Sequence, residues 1–341
     1  MKVMALTMSA SLLVGPLFAE VPAREALAGV LDRDLPVIVA SRNSVGDIDV
    51  ESAIDVAAQG ADEIIDIGSI TKTVTAVAIL HLIENQGLTL GTTLAELLPG
   101  VPQDKAQITL HQLLTHTSGI VESTGDDGEA LSRSEFFERV FDAPLDAAPG
   151  TLHSYSNAGY SILAAIIEVQ SGQAYEDYLI DRVIPEGSSA IGYARAYDAE
   201  RAITSDRMWL TGFQRRSVAD ASWGASEPGW SLIGNGGLVT TAEGFLTFWA
   251  AFLNGDIVDA ALVAEATTPH VDEGSGDTFY GYGMVVEPLN NGAQLLWHDG
   301  GNDIFSAEWR HLTGSDVTFF SAGRGEAAFD AMSMILTSAE N

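Results

Sequence analysis

The 341-residue sequence contains no cysteine and only three lysines, Lys2, Lys72 and Lys105. The first absence excludes a disulfide framework and a lipidated N-terminal cysteine. Positive charge is also scarce: 16 basic residues face 47 acidic ones, for a formal net charge of −31. A surface of that sign repels nucleic acid and anionic membrane, so neither is an expected partner. The acidic residues are spread along the chain, as on a solvated, salt-tolerant surface rather than an interaction tail. There is no internal repeat, no low-complexity linker and no His-Glu-x-x-His sequence. His111 and His116 stand five apart, a spacing that does not align on one helical face, and no metal or other cofactor is expected. Gly234-Asn235-Gly236-Gly237 lacks the lysine of a phosphate-binding loop and reads as a turn.

What is present is enough apolar sequence for a substantial core, with 46% hydrophobic and 8% aromatic residues. The length calls for one large two-lobed unit or two domains. Residues 1–19 have the form of a signal peptide: Lys2 starts it, Val3 to Phe18 is apolar, and Ala19 offers a small residue for cleavage. Gly15-Pro16 breaks this stretch, so it is too short for a stable membrane span. Export to the periplasm or the medium is the expectation, with no stable membrane insertion after cleavage.

Strand patterns occur at Val37–Ser41, Asp47–Val50, Asp55–Ala58 and Asp62–Ile67. Helical spacing then runs from Ser69 to Asn85, with Gly87 as a stop. Further helices are expected at Glu20–Asp34, Thr109–Leu114, Ser134–Phe141, Asn157–Gln170, Tyr175–Val183 and Thr241–Leu253, the last opened by Thr240 and Glu243 at capping-box spacing. Phe279–Val286, Gln294–His298, Ser306–His311 and Asp316–Ser321 read as strands, and Ala327–Thr337 as a closing helix. Strands at both ends with helices between them predict an α/β fold of the α+β type. Its antiparallel sheet is assembled from the two ends of the chain (20–68 and 279–341), with an inserted, mostly helical lobe at about 69–278.

Lys72 lies three residues after Ser69 in Gly68-Ser69-Ile70-Thr71-Lys72. Residues three apart share a helix face, so hydroxyl and amine can meet. A desolvated lysine can lose its proton and act as a base, whereas arginine cannot. A serine in the first helical turn also sits near unpaired N–H groups that favour an oxyanion. Tyr155 and Asn157, two apart before a helix, supply a phenol able to ionise beside an ammonium and a side chain able to orient the lysine and a substrate amide. Asn157 also reads as a helix cap. Trp297-His298-Asp299-Gly300-Gly301 follows a strand-like run, and its glycines allow a substrate close to the backbone.

Ser69-x-x-Lys72, Tyr155-x-Asn157 and His298-x-Gly300, in that order, resemble the serine hydrolases related to class C β-lactamases and DD-peptidases. Leu113 to Gly119, Gly236 to Thr241 and Tyr280 to Gly283 are similar to further segments of that family, so the likeness runs from about Asp62 to Gly323. The resemblance implies acyl transfer through Ser69, with Lys72 and Tyr155 shuttling the proton and the N–H groups of Ser69 and Gly301 holding the oxyanion. It implies substrate contacts from Asn157, His298, Asp299, Gly300 and Gly301, and a structural role for His116. Two departures stand out. Class C β-lactamases carry lysine where this chain has His298, and the family's usual hydroxyl is replaced by Asp299, which would repel a substrate carboxylate.

A small-molecule or peptide ester or amide is therefore the expected substrate of an esterase or D-amino-acid-peptidase-like enzyme. A class C-like β-lactamase, a DD-carboxypeptidase and a non-catalytic peptidoglycan-binding sensor stand as alternatives. Glu122–Ser134 and Tyr193–Trp230 are the expected cleft loops, and Trp209, Phe213, Trp223 and Trp230 candidate lining residues. The sequence sets no oligomeric state.

Overall fold

The computed structural model describes residues 27–30, 35–53, 63–186, 191–198, 202, 204–209, 212–217, 223 and 227–339. The leader at 1–19 and the strand expected at Asp55–Ala58 lie outside the described residues, as does most of the helix expected at Glu20–Asp34. Only 27–30 of that stretch is described, and it is helical.

The strands are β1 (Val37–Arg42), β2 (Ile48–Ser52), β3 (Ile65–Asp66), β4 (Thr204–Trp209), β5 (Gly212–Ser217), β6 (Val239–Thr240), β7 (Val271–Asp272), β8 (Phe279–Tyr280), β9 (Val285–Pro288), β10 (Gln294–Gly301), β11 (Phe305–Leu312) and β12 (Val317–Arg324). Eight of them form one sheet in the order β2-β1-β12-β11-β10-β9-β8-β7. Every neighbouring pair in it is antiparallel. The first and last parts of the chain meet at β1 and β12, with Val37 opposite Gly323, as expected for a sheet drawn from both ends.

Both faces of this sheet are covered, which explains why Val37 to Ala40 of β1 are all apolar rather than alternating. Ile38 and Ala40 belong to the main core with Trp309 and Phe320, whereas Val37 and Val39 join a second core with Phe319, Ala331 and Ile335. The helix Ala327–Ala339 supplies that second core. Ala242–Leu253 covers the other face, where Trp249 lies 4.3 Å from Trp309 and Phe245 5.2 Å from Phe320. Its N-cap is Thr241, whose hydroxyl accepts from Gly244 N, one residue later than the expected capping pair.

The helix that matters most is α1 (Thr71–Gln86), the longest in the described chain. It is buried on nearly all sides, as a central helix must be. Its threonines are therefore bonded to surrounding loops: Thr73 donates to the Gly283 carbonyl at 2.7 Å and Thr75 to the Gly234 carbonyl at 2.6 Å. At Gly283 (φ +71°) a side chain would run into the carbonyl carbon of Lys72, 3.0 Å away, and the Ala76 methyl, 2.7 Å away. α2 (Asn157–Ser171) packs along α1 and ends at Gly172 in the left-handed conformation.

Three features departed from the sequence pattern. Phe279–Val286 is two strands, because Gly281 to Gly283 turn between β8 and β9. β3 leaves the large sheet and pairs with β6 instead. β4 and β5 form a separate hairpin inside the stretch expected to be a cleft loop.

Candidate active site

Ser69 sits in a single 3₁₀ turn, Gly68–Ile70, ahead of α1 rather than within its first α-helical turn. Gly68 holds φ +49°, a conformation that favours glycine. The turn continues into α1, so Lys72 projects back toward Ser69. Its Nζ lies 3.0 Å from Ser69 Oγ and 2.6 Å from the carbonyl of Asn235. Lys72 is fully buried, and desolvation lowers its pKa to about 7 against the opposing charges of Asp127 and Asp299. The amine is thus poised between its two forms at neutral pH.

Asn235 is the residue that sequence reasoning passed over. The turn Gly234-Asn235-Gly236-Gly237 is a turn, but its carbonyl orients the lysine. Asn235 is itself fixed by donating through Nδ2 to Ser161 Oγ and to the Ser231 carbonyl, both at 2.8 Å. The signal was an asparagine amid three glycines, a backbone exposed to close approach. Asp127 was passed over too, because an aspartate in an acidic loop carries no local pattern.

Tyr155 stands beside the pair. Lys72 Nζ lies 4.7 Å from the centre of its ring, and its hydroxyl shares a hydrogen bond with Ser69. Burial pushes the phenol well above 10, only partly offset by that bond. Tyr155 therefore holds its proton at neutral pH, opposite to the ionised form suggested by its neighbourhood to an ammonium. Its segment is held by His116, which is buried at φ +56°. His116 Nδ1 accepts from Ser156 N at 3.0 Å, its carbonyl accepts from Ser154 N at 2.8 Å, and its ring lies 4.3 Å from that of Tyr155.

Asn157 opens α2, but the cap is Ser156, whose hydroxyl accepts from Gly159 N at 2.9 Å. The Asn157 side chain makes no bond to Lys72 among the described contacts, and its Oδ1 is enclosed with no protein partner. An enclosed acceptor of that kind is costly unless something else bonds to it.

The sheet meets this cluster at β10. β9 pairs with β10 only as far as Trp297, so residues 298–301 have one edge without a strand. The Ser69 turn occupies that edge. A side chain on Gly300 would lie 2.6 Å from Ser69 N, and one on Gly68 would lie 2.8 Å from the Gly300 carbonyl carbon and against Gly301 N. Only two bare backbones fit there. His298 is buried with its pKa lowered to about 4, chiefly by desolvation, and is neutral at pH 7. Nδ1 donates to the Asp299 carbonyl at 2.5 Å, so Nε2 accepts from the Tyr280 hydroxyl at 3.1 Å. The Asp299 carboxylate is 56% exposed, yet its charge acts on Lys72, Tyr155 and Glu273.

Two of the four aromatics expected to line the cleft are engaged elsewhere. Trp223 is in the core and donates to the Gly237 carbonyl at 2.8 Å, while Trp230 packs near Phe136 and Arg133. The side chains of Trp209 and Phe213 lie outside the described residues. A cavity of about 480 Å³ lined by His111, His153, His270 and Asp272 includes neither Ser69 nor Lys72. Among the described residues, no group of three or more His, Asp or Glu is arranged to hold a metal ion.

A two-ended antiparallel sheet with helices on both faces, and a serine turn and buried lysine wedged against one of its central strands, defines the β-lactamase and penicillin-binding-protein fold. The Beta-lactamase family model matches residues 39–320, and the chain belongs to that family. It is 36% identical over 130 residues to penicillin-binding protein 4 of Amycolatopsis lactamdurans, covering 36% of this chain and 34% of that one. It is 32% identical over 132 residues to the esterase EstB of Burkholderia gladioli, covering 33% of each. A penicillin-binding protein from Bacillus halodurans superposes with a TM-score of 0.79 at 22% identity, over 92% of this chain and 99% of that one. The chain spans about a third of the length of these two curated relatives.

The electrostatics make a direct prediction. The Lys72 amine, followed by NMR on lysine labelled at Cε, should titrate near pH 7. Asp127→Asn removes a charge that favours the ammonium, so the midpoint should move down. A midpoint near 10, or one that rises in the variant, would contradict this arrangement.

Proposed function

We propose that the protein is a serine hydrolase that forms an acyl-enzyme on Ser69 and cleaves an ester or amide. The observation that carries this reading is the 3.0 Å approach of Ser69 Oγ to a buried lysine whose pKa is about 7. Neutral Lys72 accepts the serine proton as Oγ attacks the substrate carbonyl carbon. The N–H groups of Ser69 and Gly301 receive the oxyanion. Tyr155, which keeps its proton, donates it to the leaving alkoxide or amine and regains one from the Lys72 ammonium. Water then attacks the acyl carbon, with Lys72 again taking a proton. The lack of a protein partner for Asn157 Oδ1 supports a role for it as acceptor of a substrate N–H. His298, neutral at pH 7, supplies shape rather than charge to the site.

The substrate reading rests on charge. Asp299, Glu273 and Asp127 all act on the Lys72–Tyr155 pair, so the site disfavours a substrate carboxylate and favours a neutral or amine-bearing substrate. This supports an esterase or D-amino-acid amidase or peptidase over a β-lactamase. Buried reactive side chains speak for catalysis over a binding role, because binding requires no nucleophile. The apolar stretch at residues 1–19 supports a periplasmic or secreted location. No helix among the described residues is long and apolar enough to cross a membrane.

Wild-type protein should release p-nitrophenol from a short-chain ester, and Ser69→Ala should reduce that rate by about four orders of magnitude. Intact mass should show an acyl or phosphonyl adduct on the wild type alone. Equal turnover by both proteins would end the acyl-enzyme reading. A second test concerns selectivity. Asp299→Thr should speed acylation by a carboxylate-bearing cephalosporin about fivefold, the worth of one exposed charge of about 1 kcal/mol, with a smaller change for a neutral ester. Equal effects on both substrates would remove Asp299 from the account of selectivity.

A further inference from the structure

Ser69 N and Gly301 N belong to two separate pieces of chain, the 3₁₀ turn after β3 and the end of β10. Their spacing decides whether a tetrahedral oxyanion meets two donors or one. Backbone contact between Gly68 and Gly300 prevents the pieces from coming closer. Something must also keep them from drifting apart.

We infer that Asp66 and Asn302 are the clamp that sets this spacing, and that they act as positioning residues for the reaction. The inference rests on the acyl-enzyme reading above. Asp66 is the last residue of β3 and is 4% exposed. One carboxylate oxygen, Oδ1, accepts from Gly68 N at 2.7 Å, one residue before Ser69. The other, Oδ2, accepts from Asn302 Nδ2 at 2.9 Å, one residue after Gly301. A single carboxylate thus ties together the residues flanking both donors.

The orientation of the Asn302 amide follows from its other end. Its Oδ1 accepts from Ile304 N at 2.8 Å and Phe305 N at 2.9 Å, so its NH₂ must face Asp66. That amide is therefore rigid in the β10–β11 turn, while Asp66 is anchored through the β3–β6 pairing of Asp66 with Val239. Both bonds are made to a carboxylate and are stronger than neutral ones, and the one from Asn302 crosses the gap. Neither side chain is placed to touch the reacting atoms. Their effect is on where two N–H groups sit, and catalysis is sensitive to displacements well under 1 Å.

Three variants test this. Asp66→Asn turns an NH₂ toward the NH₂ of Asn302, leaving two donors face to face. Asn302→Asp turns a carboxylate toward the Asp66 carboxylate. The exchange Asp66→Asn with Asn302→Asp restores the bonds to Gly68, Ile304 and Phe305 and the one between the two side chains. In it the amide introduced at position 66 accepts from Gly68 N and donates to the carboxylate introduced at position 302, whose other oxygen accepts from Ile304 N and Phe305 N. Each single variant should lower kcat for a p-nitrophenyl ester about 10- to 100-fold, with KM within about threefold, and weaken a phenylboronic acid that bonds to Ser69 in parallel. The exchange should recover at least half of each loss on a logarithmic scale.

A merely structural role would lower melting temperature without splitting kcat from KM. Single variants with wild-type kcat and boronate affinity would overturn the clamp. So would an exchange variant that is folded but no better than the singles, or that does not fold. If the singles themselves do not fold, the exchange variant decides alone. Failure of the wild type to take up boronate on Ser69 is a different outcome: it defeats the acyl-enzyme reading and the clamp with it, whereas a wild-type adduct with unaffected variants defeats only the clamp.

Discussion

The structure around Ser69 depends on hiding one lysine nitrogen from water. An ammonium taken into a protein interior loses hydration worth many kcal/mol, and the usual escape is loss of the proton. Lys72 takes that route, with a pKa of about 7. A neutral amine still needs partners for its N–H groups, and the Asn235 carbonyl at 2.6 Å meets that need while leaving the nitrogen lone pair free to face Ser69. The fixing of Asn235 by Ser161 and Ser231, and the backing of Lys72 by the Tyr155 and Tyr160 rings, all follow from that burial. So does the choice of lysine in a chain that otherwise avoids it.

A second constraint comes from the sheet. β9 stops pairing at Trp297, which leaves four residues of β10 with an edge for the serine turn. Gly68 and Gly300 are glycine because the two backbones touch with no room for a Cβ atom. The two requirements meet at Ser69. α1 brings Lys72 from one side, and β10 brings an N–H from the other, so the proposed nucleophile lies on the seam between the sheet and the helical part of the chain.

Much of this was legible from residues in order. Apolar runs at 37–41 and in the last third announced a sheet drawn from both ends, because strands buried on two faces are apolar without alternation. Ser69 and Lys72 were legible because spacing along one helix is a local property, even though Ser69 turned out to lie in a 3₁₀ turn. Asn235, Asp127 and the Asp66–Asn302 pair were not, since each acts across a separation of roughly 60 to 240 residues and none carries a local pattern. The protonation state of Tyr155 was misjudged for a related reason. A neighbouring cation is visible in sequence spacing, whereas desolvation by His116, Tyr280 and His298 depends on how distant segments close over the ring.

The acidic groups of the site bear on the same balance. Desolvation lowers the pKa of Lys72, and Asp127 and Asp299 push it back up, so the base form is present in part at neutral pH. A cationic substrate group placed beside Asp299 would offset that carboxylate and, being a like charge, disfavour the lysine ammonium. Such a substrate would increase the fraction of Lys72 able to accept the serine proton. A carboxylate in the same place would do the reverse, adding a third negative charge that holds the lysine protonated. On the proposed mechanism, selection between the two would operate on the base as well as on binding, and Asp299 would act in both steps.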